Sequence, residues 1–343
     1  MLALQAVTPE TLAAHLPAIT LAEARKIVAQ VHRGEPVRAT SAIRRVAAEA
    51  VRAAGQVPEL TVVAESASQL DPFVKYALAS GDARFEAVRI PLEHPDRFTV
   101  CVSSQVGCAL ACAFCATGRL GLVRNLAAWE IVEQVRIVRA RLPRGRVHGV
   151  VFQGMGEPLA NLDAVLDAIA VLTEPCALGI DARAITVCTS GLPTGIRRLA
   201  REAPNVRLGI SISSAIRAHR RRVMPIAEKH DLDDVLAAAI EHARRTGHSP
   251  MWAVTLLAGV NDSDEDARAL AERAHAFAAA TGRRPRISLL DYNEIGIDDP
   301  FTRSPRMGAF RDVLSAAGLP THRRYSGGSD VAAACGQLAN ASA

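Results

Sequence analysis

No run of eighteen or more apolar residues occurs in this 343-residue sequence, so nothing in it reads as a transmembrane helix. A basic leader ahead of an apolar stretch is also missing from "MLALQAVTPETLAAHLPAITLAEARK", which excludes a secretory signal there and makes a cytoplasmic location the expectation, without a membrane partner. Low-complexity segments are absent, and with 49% hydrophobic residues the chain is neither disordered nor a small disulfide scaffold. It is long enough for one large α/β core with a small appendage. Charge of one sign is only in mild excess: the net charge is +5 and the pI about 9.0, which suits a polyanionic partner without requiring one.

From about residue 97 a unit repeats, made of a short β-branched run, a Gly-rich or polar turn and an amphipathic helical stretch. The runs "RFTVCVSS", "VHGVVFQG", "AITVCTS", "VRLGISISS", "MWAVTLLAG" and "RISLLDYN" read as strands, separated by helical segments such as "AWEIVEQVRIVRARL" and "DEDARALAERAHAFAAA". Strict alternation implies a parallel sheet with outer helices, and six such units imply a partial (β/α)6 barrel of the α/β class, with functional residues at the C-terminal strand ends. Residues 1–80, with "LAEARKIVAQVHR" and "SAIRRVAAEAVRAAG", read as a small helical accessory domain without strands, and residues 81–343 as the barrel core. "FEAVRIP" reads as a strand leading into the barrel. The tail "SDVAAACGQLANASA" reads as a short helix that frays at its end.

Seven cysteines are present, and Cys108, Cys112 and Cys115 stand at C-x3-C-x2-C directly after a strand. Three thiolates on one tight loop can hold three corners of an iron-sulfur cubane, leaving the fourth iron open to chelate the amino and carboxylate groups of S-adenosylmethionine (SAM). Structural zinc is the alternative, but zinc sites pair four Cys or His ligands, and no fourth ligand follows at matching distance. The spacing, with Phe114 before the last cysteine, resembles the radical SAM superfamily.

"CVSSQVGCALACAFCATG", "GMGEPLANLD", "VMPI", "GVNDS" and "DVAAACGQL" occur together and in order, and as a set they resemble the RlmN/Cfr family of RNA adenine methyltransferases from about Glu86 to Leu338. The resemblance implies a radical SAM barrel, a 4Fe-4S cluster on Cys108, Cys112 and Cys115, and SAM as both methyl donor and radical source. It further implies methylation of C2 or C8 of an adenosine in rRNA or tRNA, with an electron donor such as flavodoxin or ferredoxin; a monomer is expected. Cys335 resembles the cysteine that carries the methyl group as S-methylcysteine, Cys101 its transient disulfide partner, and Glu86 the proton acceptor. Gly156 and Glu157 in "GMGEP", Ser211, Ile212 and Ser213 in "GISISS", Cys188 in "VCTSG" and Asn293 match SAM-contacting positions. A radical route suits this substrate because a ring carbon such as C2 or C8 has no lone pair with which to attack a sulfonium.

The sequence departs from the family's pattern in several places. Cys188 stands where serine is usual, Ser213 where histidine is usual, and Ala258 where aspartate is common. Aromatic residues make up only 4%, and the N-terminal region lacks the aromatic-rich segment the family leads one to expect. Two other classes remain open on these residues: a radical SAM enzyme acting on a peptide or small molecule, and a non-catalytic iron-sulfur or zinc RNA-binding module. Retention of both Cys101 and Cys335 disfavours the first, and "GMGEP" the second. Arg217, Arg220, Arg221 and Arg222 in "IRAHRRRVMP", with Arg323 and Arg324, are candidate phosphate contacts.

Overall fold

The computed structural model describes residues 1–296 and 298–339. One ten-stranded sheet organises the chain: β1 (Thr61–Ala67), β2 (Val74–Ser80), β3 (Ala83–Pro91), β4 (Arg97–Val102), β5 (Arg146–Phe152), β6 (Ile185–Thr189), β7 (Arg207–Ser211), β8 (Met251–Leu256), β9 (Arg286–Asp291) and β10 (Thr321–Arg324). Every strand lies beside its neighbours in sequence. β4 to β10 are parallel throughout, whereas β1 to β4 pair antiparallel. All six strand-like runs of the barrel are therefore strands, and β10 adds a seventh parallel strand beyond the six expected.

The crossovers between the parallel strands are helical: α4 (Ala128–Ala140), α5 (Leu162–Thr173), α6 (Pro193–Glu202), α7 (Arg217–Val223), α8 (Leu232–Thr246), α9 (Asp264–Thr281) and α10 (Met307–Ala316). α8 and α9 both end on a glycine in the left-handed region, Gly247 and Gly282, which accepts that backbone without a Cβ clash. The barrel core is continuous, and its largest buried side chain, Trp252 on β8, meets Phe277 of α9 edge-on at 5.5 Å.

Before the sheet come α1 (Pro9–His15), α2 (Leu21–His32) and α3 (Arg45–Ala54). Thr20 and Glu23 cap α2 reciprocally, and the Glu23 carboxylate also binds Arg44 at 2.8 Å, which ties α2 to α3. This helical unit has its own apolar core and is joined to the barrel where Arg136 of α4 donates to the Val31 carbonyl at 3.0 Å.

The helical reading of residues 1–80 is corrected at its end, because residues 61–80 form β1 and β2. β1 alternates exposed with half-buried residues, and β2 is buried throughout except its last residue. Period-two alternation in "TVVAESA" was the available signal, masked by helix-favouring alanine and glutamate. Of the tail, Ser329–Val331 is a single 3-10 turn; the fraying expected at residues 340–343 falls outside the described residues.

Candidate active site

β4 ends at Val102, and the next residues are fixed by buried hydrogen bonds. Gln134 of α4 grips both Ser103 backbone groups at 2.8 and 2.9 Å, the Ser103 hydroxyl accepts from Met155 N at 3.0 Å, and Asn161 donates to the Ser104 carbonyl at 2.8 Å. The loop after β4 is thus tied to the loop after β5 before any cysteine is reached. A short antiparallel pair, Gln105–Gly107 with Leu122–Asn125, then closes the base of the cysteine loop. Gly107 is required there: its φ is +74°, and a Cβ would lie 1.9 Å from the Gly121 carbonyl oxygen.

Within the loop Ala111 holds a φ of +50°, a left-handed conformation that a non-glycine residue keeps only when its surroundings enforce it. The enforcing contacts are Ala113 N to Val223 O at 2.9 Å and Cys115 N to Cys112 O at 3.1 Å. Cys108, Cys112 and Cys115 line one cavity over the C-terminal ends of the barrel strands. Burial pushes the Cys108 thiol up to about 11 and the Cys112 thiol up to about 12, and raises Cys115 as well; such thiols lose their protons when a metal takes their place.

Gly156 and Glu157 form another wall of the cavity. Gly156 has a φ of +100°, and a Cβ on it would come within 2.5 Å of the Gln105 side chain. Glu157 is buried, which raises its carboxyl to about 7 although Ser190 N at 2.9 Å and Leu159 N at 3.1 Å donate to it. Cys188, Ser211 and Ser213 line the same space, with Ser213 in the left-handed region at φ +57°. Ile212 is in the barrel core, its amide bonded to the Ala253 carbonyl at 2.9 Å.

Cys335 completes the cavity, far from the other cysteines in sequence. Its segment is held from several sides. Ala116, next to Cys115, donates to the Gly336 carbonyl at 2.7 Å, and Ser326 accepts from Cys335 N at 2.8 Å. Asn293 donates to the Cys335 carbonyl at 3.1 Å, so its amide orients the tail in this structure. Gly328 N and the Tyr325 hydroxyl both donate to Asp71, at 2.9 and 2.7 Å, and Asp330 accepts from Ser68 and Gln69. The β1–β2 turn is therefore the clasp of the tail.

A smaller neighbouring cavity has Cys101, Gln153, Arg324 and again Cys335 in its wall. Glu86 is fully buried on β3, paired with Lys75 at 3.0 Å, and accepts from Ala339 N at 2.9 Å. Its burial rules out a solvated surface carboxylate.

The arginines are corrected in part. Arg220 is buried and donates to the carbonyls of Ser211 at 2.9 Å, Ser190 at 2.8 Å and Ile212; it braces the site from inside. Arg324 points to Gln153 Oε1 at 2.8 Å inside the barrel. Arg217, Arg221 and Arg323 each face a carboxylate, Asp231, Glu228 and Asp291. A run of arginines in sequence cannot show which members turn inward. Gln105, Gln153 and Ser326 went unnoticed in the sequence because single amides and hydroxyls carry no spacing signal.

The donor set fits an iron-sulfur cluster: three soft thiols on one loop, facing a cavity without a histidine in its wall. Comparison with known proteins agrees. Residues 102–274 match the model of the radical SAM superfamily. A protein of Sorangium cellulosum named "Probable RNA methyltransferase" is 58% identical, the match covering 95% of this chain and 89% of that one. The chain belongs to the radical SAM RNA methyltransferases. "Dual-specificity RNA methyltransferase RlmN" of Syntrophobacter fumaroxidans is 42% identical over 77% of this chain and 75% of its own length. The crystal structure of a radical SAM methyltransferase from Sphaerobacter thermophilus superposes with a TM-score of 0.88 at 34% identity, covering 99% of this chain and 100% of that one. Membership implies a 4Fe-4S cluster and SAM for this enzyme. No helix among its described residues is long and apolar enough to cross a membrane.

Proposed function

We propose that this enzyme methylates C2 or C8 of an adenosine in ribosomal or transfer RNA, carrying the methyl group on Cys335. One observation carries the reading: Cys335 shares a cavity with Cys108, Cys112 and Cys115, and its segment is bonded to the residue after Cys115. Cys108, Cys112 and Cys115 would hold the 4Fe-4S cluster, which when bound supplies the electron that cleaves SAM to a 5'-deoxyadenosyl radical. Glu157, with Gly156 leaving room, would accept from the SAM ammonium, and Cys188, Ser211 and Ser213 would complete that wall.

Cys335 takes the methyl group from one SAM as a thioether. After that methyl carbon has given up a hydrogen atom to the radical and joined the adenine, with one electron lost from the adduct, protein and RNA are linked through the Cys335 sulfur. Glu86, bonded to the backbone just beyond Cys335, takes the ring proton. Cys101, across the smaller cavity, attacks the Cys335 sulfur, releasing methylated RNA and leaving a disulfide. RNA phosphates would compete with the surface carboxylates for Arg217, Arg221 and Arg323, and a flavodoxin or ferredoxin would deliver the electron.

The test is anaerobic reconstitution with SAM carrying a labelled methyl group, a reductant and total RNA, followed by mass spectrometry of nucleosides. Labelled methyladenosine is expected with the native chain, none with Cys335→Ala, and an RNA–protein adduct with Cys101→Ala. Full turnover by Cys335→Ala, or 5'-deoxyadenosine release that tracks an added peptide and not RNA, would overturn the assignment.

A further inference from the structure

Cys188 is more than a cavity wall. Its sulfur lies 3.7 Å from Gln153 Oε1, the oxygen to which Arg324 also donates at 2.8 Å. The Gln153 backbone is in turn a partner of Cys101. Gln153 therefore joins two thiols on strands that flank its own, with the Arg324 guanidinium against the same oxygen. Room for the Cys188 sulfur comes from Gly209 opposite, where a Cβ would approach it to 2.8 Å. Cys335 lines the larger cavity beside Cys188 and the smaller cavity beside Cys101. Burial pushes the Cys188 thiol up to about 12 and raises Cys101 as well, and the Arg324 guanidinium, within electrostatic reach of all three sulfurs, offsets part of that cost.

We propose that Cys188 is a second disulfide partner for Cys335, so that the carrier sulfur passes between Cys101 on one side of Gln153 and Cys188 on the other. The proposal rests on the carrier reading of Cys335. The step is thiol–disulfide exchange and needs no oxidant beyond the disulfide already formed. The Cys188 thiolate attacks the Cys335 sulfur, the Cys188–Cys335 bond forms as the Cys101–Cys335 bond breaks, and Cys101 leaves as a thiolate that takes up the proton lost by Cys188. Two disulfides and not three are possible. Cys101 pairs with Val151, and Val187, the neighbour of Cys188, pairs with Phe152, so one whole strand separates the two barrel cysteines. Two strand spacings are about 9–10 Å, beyond the Cα separation of roughly 4.4–6.8 Å that a disulfide spans. Only Cys335, on a tail outside the sheet, can meet both. Moving the disulfide to Cys188 brings the oxidised carrier into the larger cavity and holds the enzyme closed to a new methyl group until it is reduced.

The cluster-loaded protein, treated anaerobically with diamide, alkylated and digested without reduction, is mapped by mass spectrometry. Expected in the native chain are the Cys101–Cys335 and Cys188–Cys335 peptide pairs and no Cys101–Cys188 pair. Cys101→Ser should retain the Cys188–Cys335 pair, and Cys188→Ser should lose it while keeping Cys101–Cys335; iron content checks that each variant is folded. A native chain giving Cys101–Cys335 alone overturns this proposal and leaves the carrier reading standing. If Cys335 cross-links to neither cysteine, both fall.

Discussion

Glu157 gives the proposed SAM site a pH dependence whose size follows from its burial. Its carboxyl lies near 7 because it is enclosed, and the two backbone donors on it do not offset the desolvation. A ligand ammonium binds the ionised form. With half-ionisation at about 7, roughly one-eleventh of the molecules are ionised at pH 6 and ten-elevenths at pH 8, a ratio of about 10 or about 1.4 kcal/mol. SAM affinity should therefore rise about tenfold from pH 6 to pH 8 and level off above. Fold stability runs the other way: a carboxyl raised above its ordinary range holds its proton longer in the folded chain than in the unfolded one, so the unliganded protein loses stability as pH climbs from the ordinary carboxylate range to 7. Calorimetric titration of the anaerobic, cluster-loaded protein with SAM, without reductant, measures the affinity. Glu157→Gln should bind more weakly at pH 8 and show no slope. An affinity constant within twofold across this range in the native chain, or the same slope in Glu157→Gln, would refute the reasoning.

Lys75→Met should destabilise the fold by about 3–5 kcal/mol, because it removes the buried ammonium that faces the fully buried Glu86 carboxylate at 3.0 Å; a loss below 1 kcal/mol in denaturant unfolding would contradict this. Gly156→Ala forces a Cβ against Gln105 at a φ of +100°, and a cost of about 1–3 kcal/mol should appear as a lower Tm together with weakened SAM binding. Asp71→Ala removes the acceptor for Tyr325 and Gly328; limited proteolysis should then cut the tail near Cys335 faster while the barrel strands stay protected, and an unchanged cleavage rate would show that the clasp is dispensable.

The barrel was legible because its signals are local. β-branched runs, glycine turns and helical periodicity each span a few residues, and the cysteine loop carries its three thiols within eight positions. The same locality explains the misreadings. β1 and β2 look helical in composition, and they are strands because β3 offers β2 an edge to pair with and β2 in turn offers one to β1. Arg220 and Arg324 look like surface charge, and they turn inward because carbonyls and Gln153 await them there.

By itself the sequence determined the parallel β/α order, the three-thiol loop and the pairing of "GMGEP" with a distant "AACGQL", since each is a pattern of residue types along the chain. Only the tertiary structure decided that Cys335 reaches the cysteine loop, that the β1–β2 turn holds it there, and that Cys188 and Cys101 flank one glutamine. Those are meetings between segments remote in sequence, fixed by hydrogen bonds and burial that exist only after the sheet has closed.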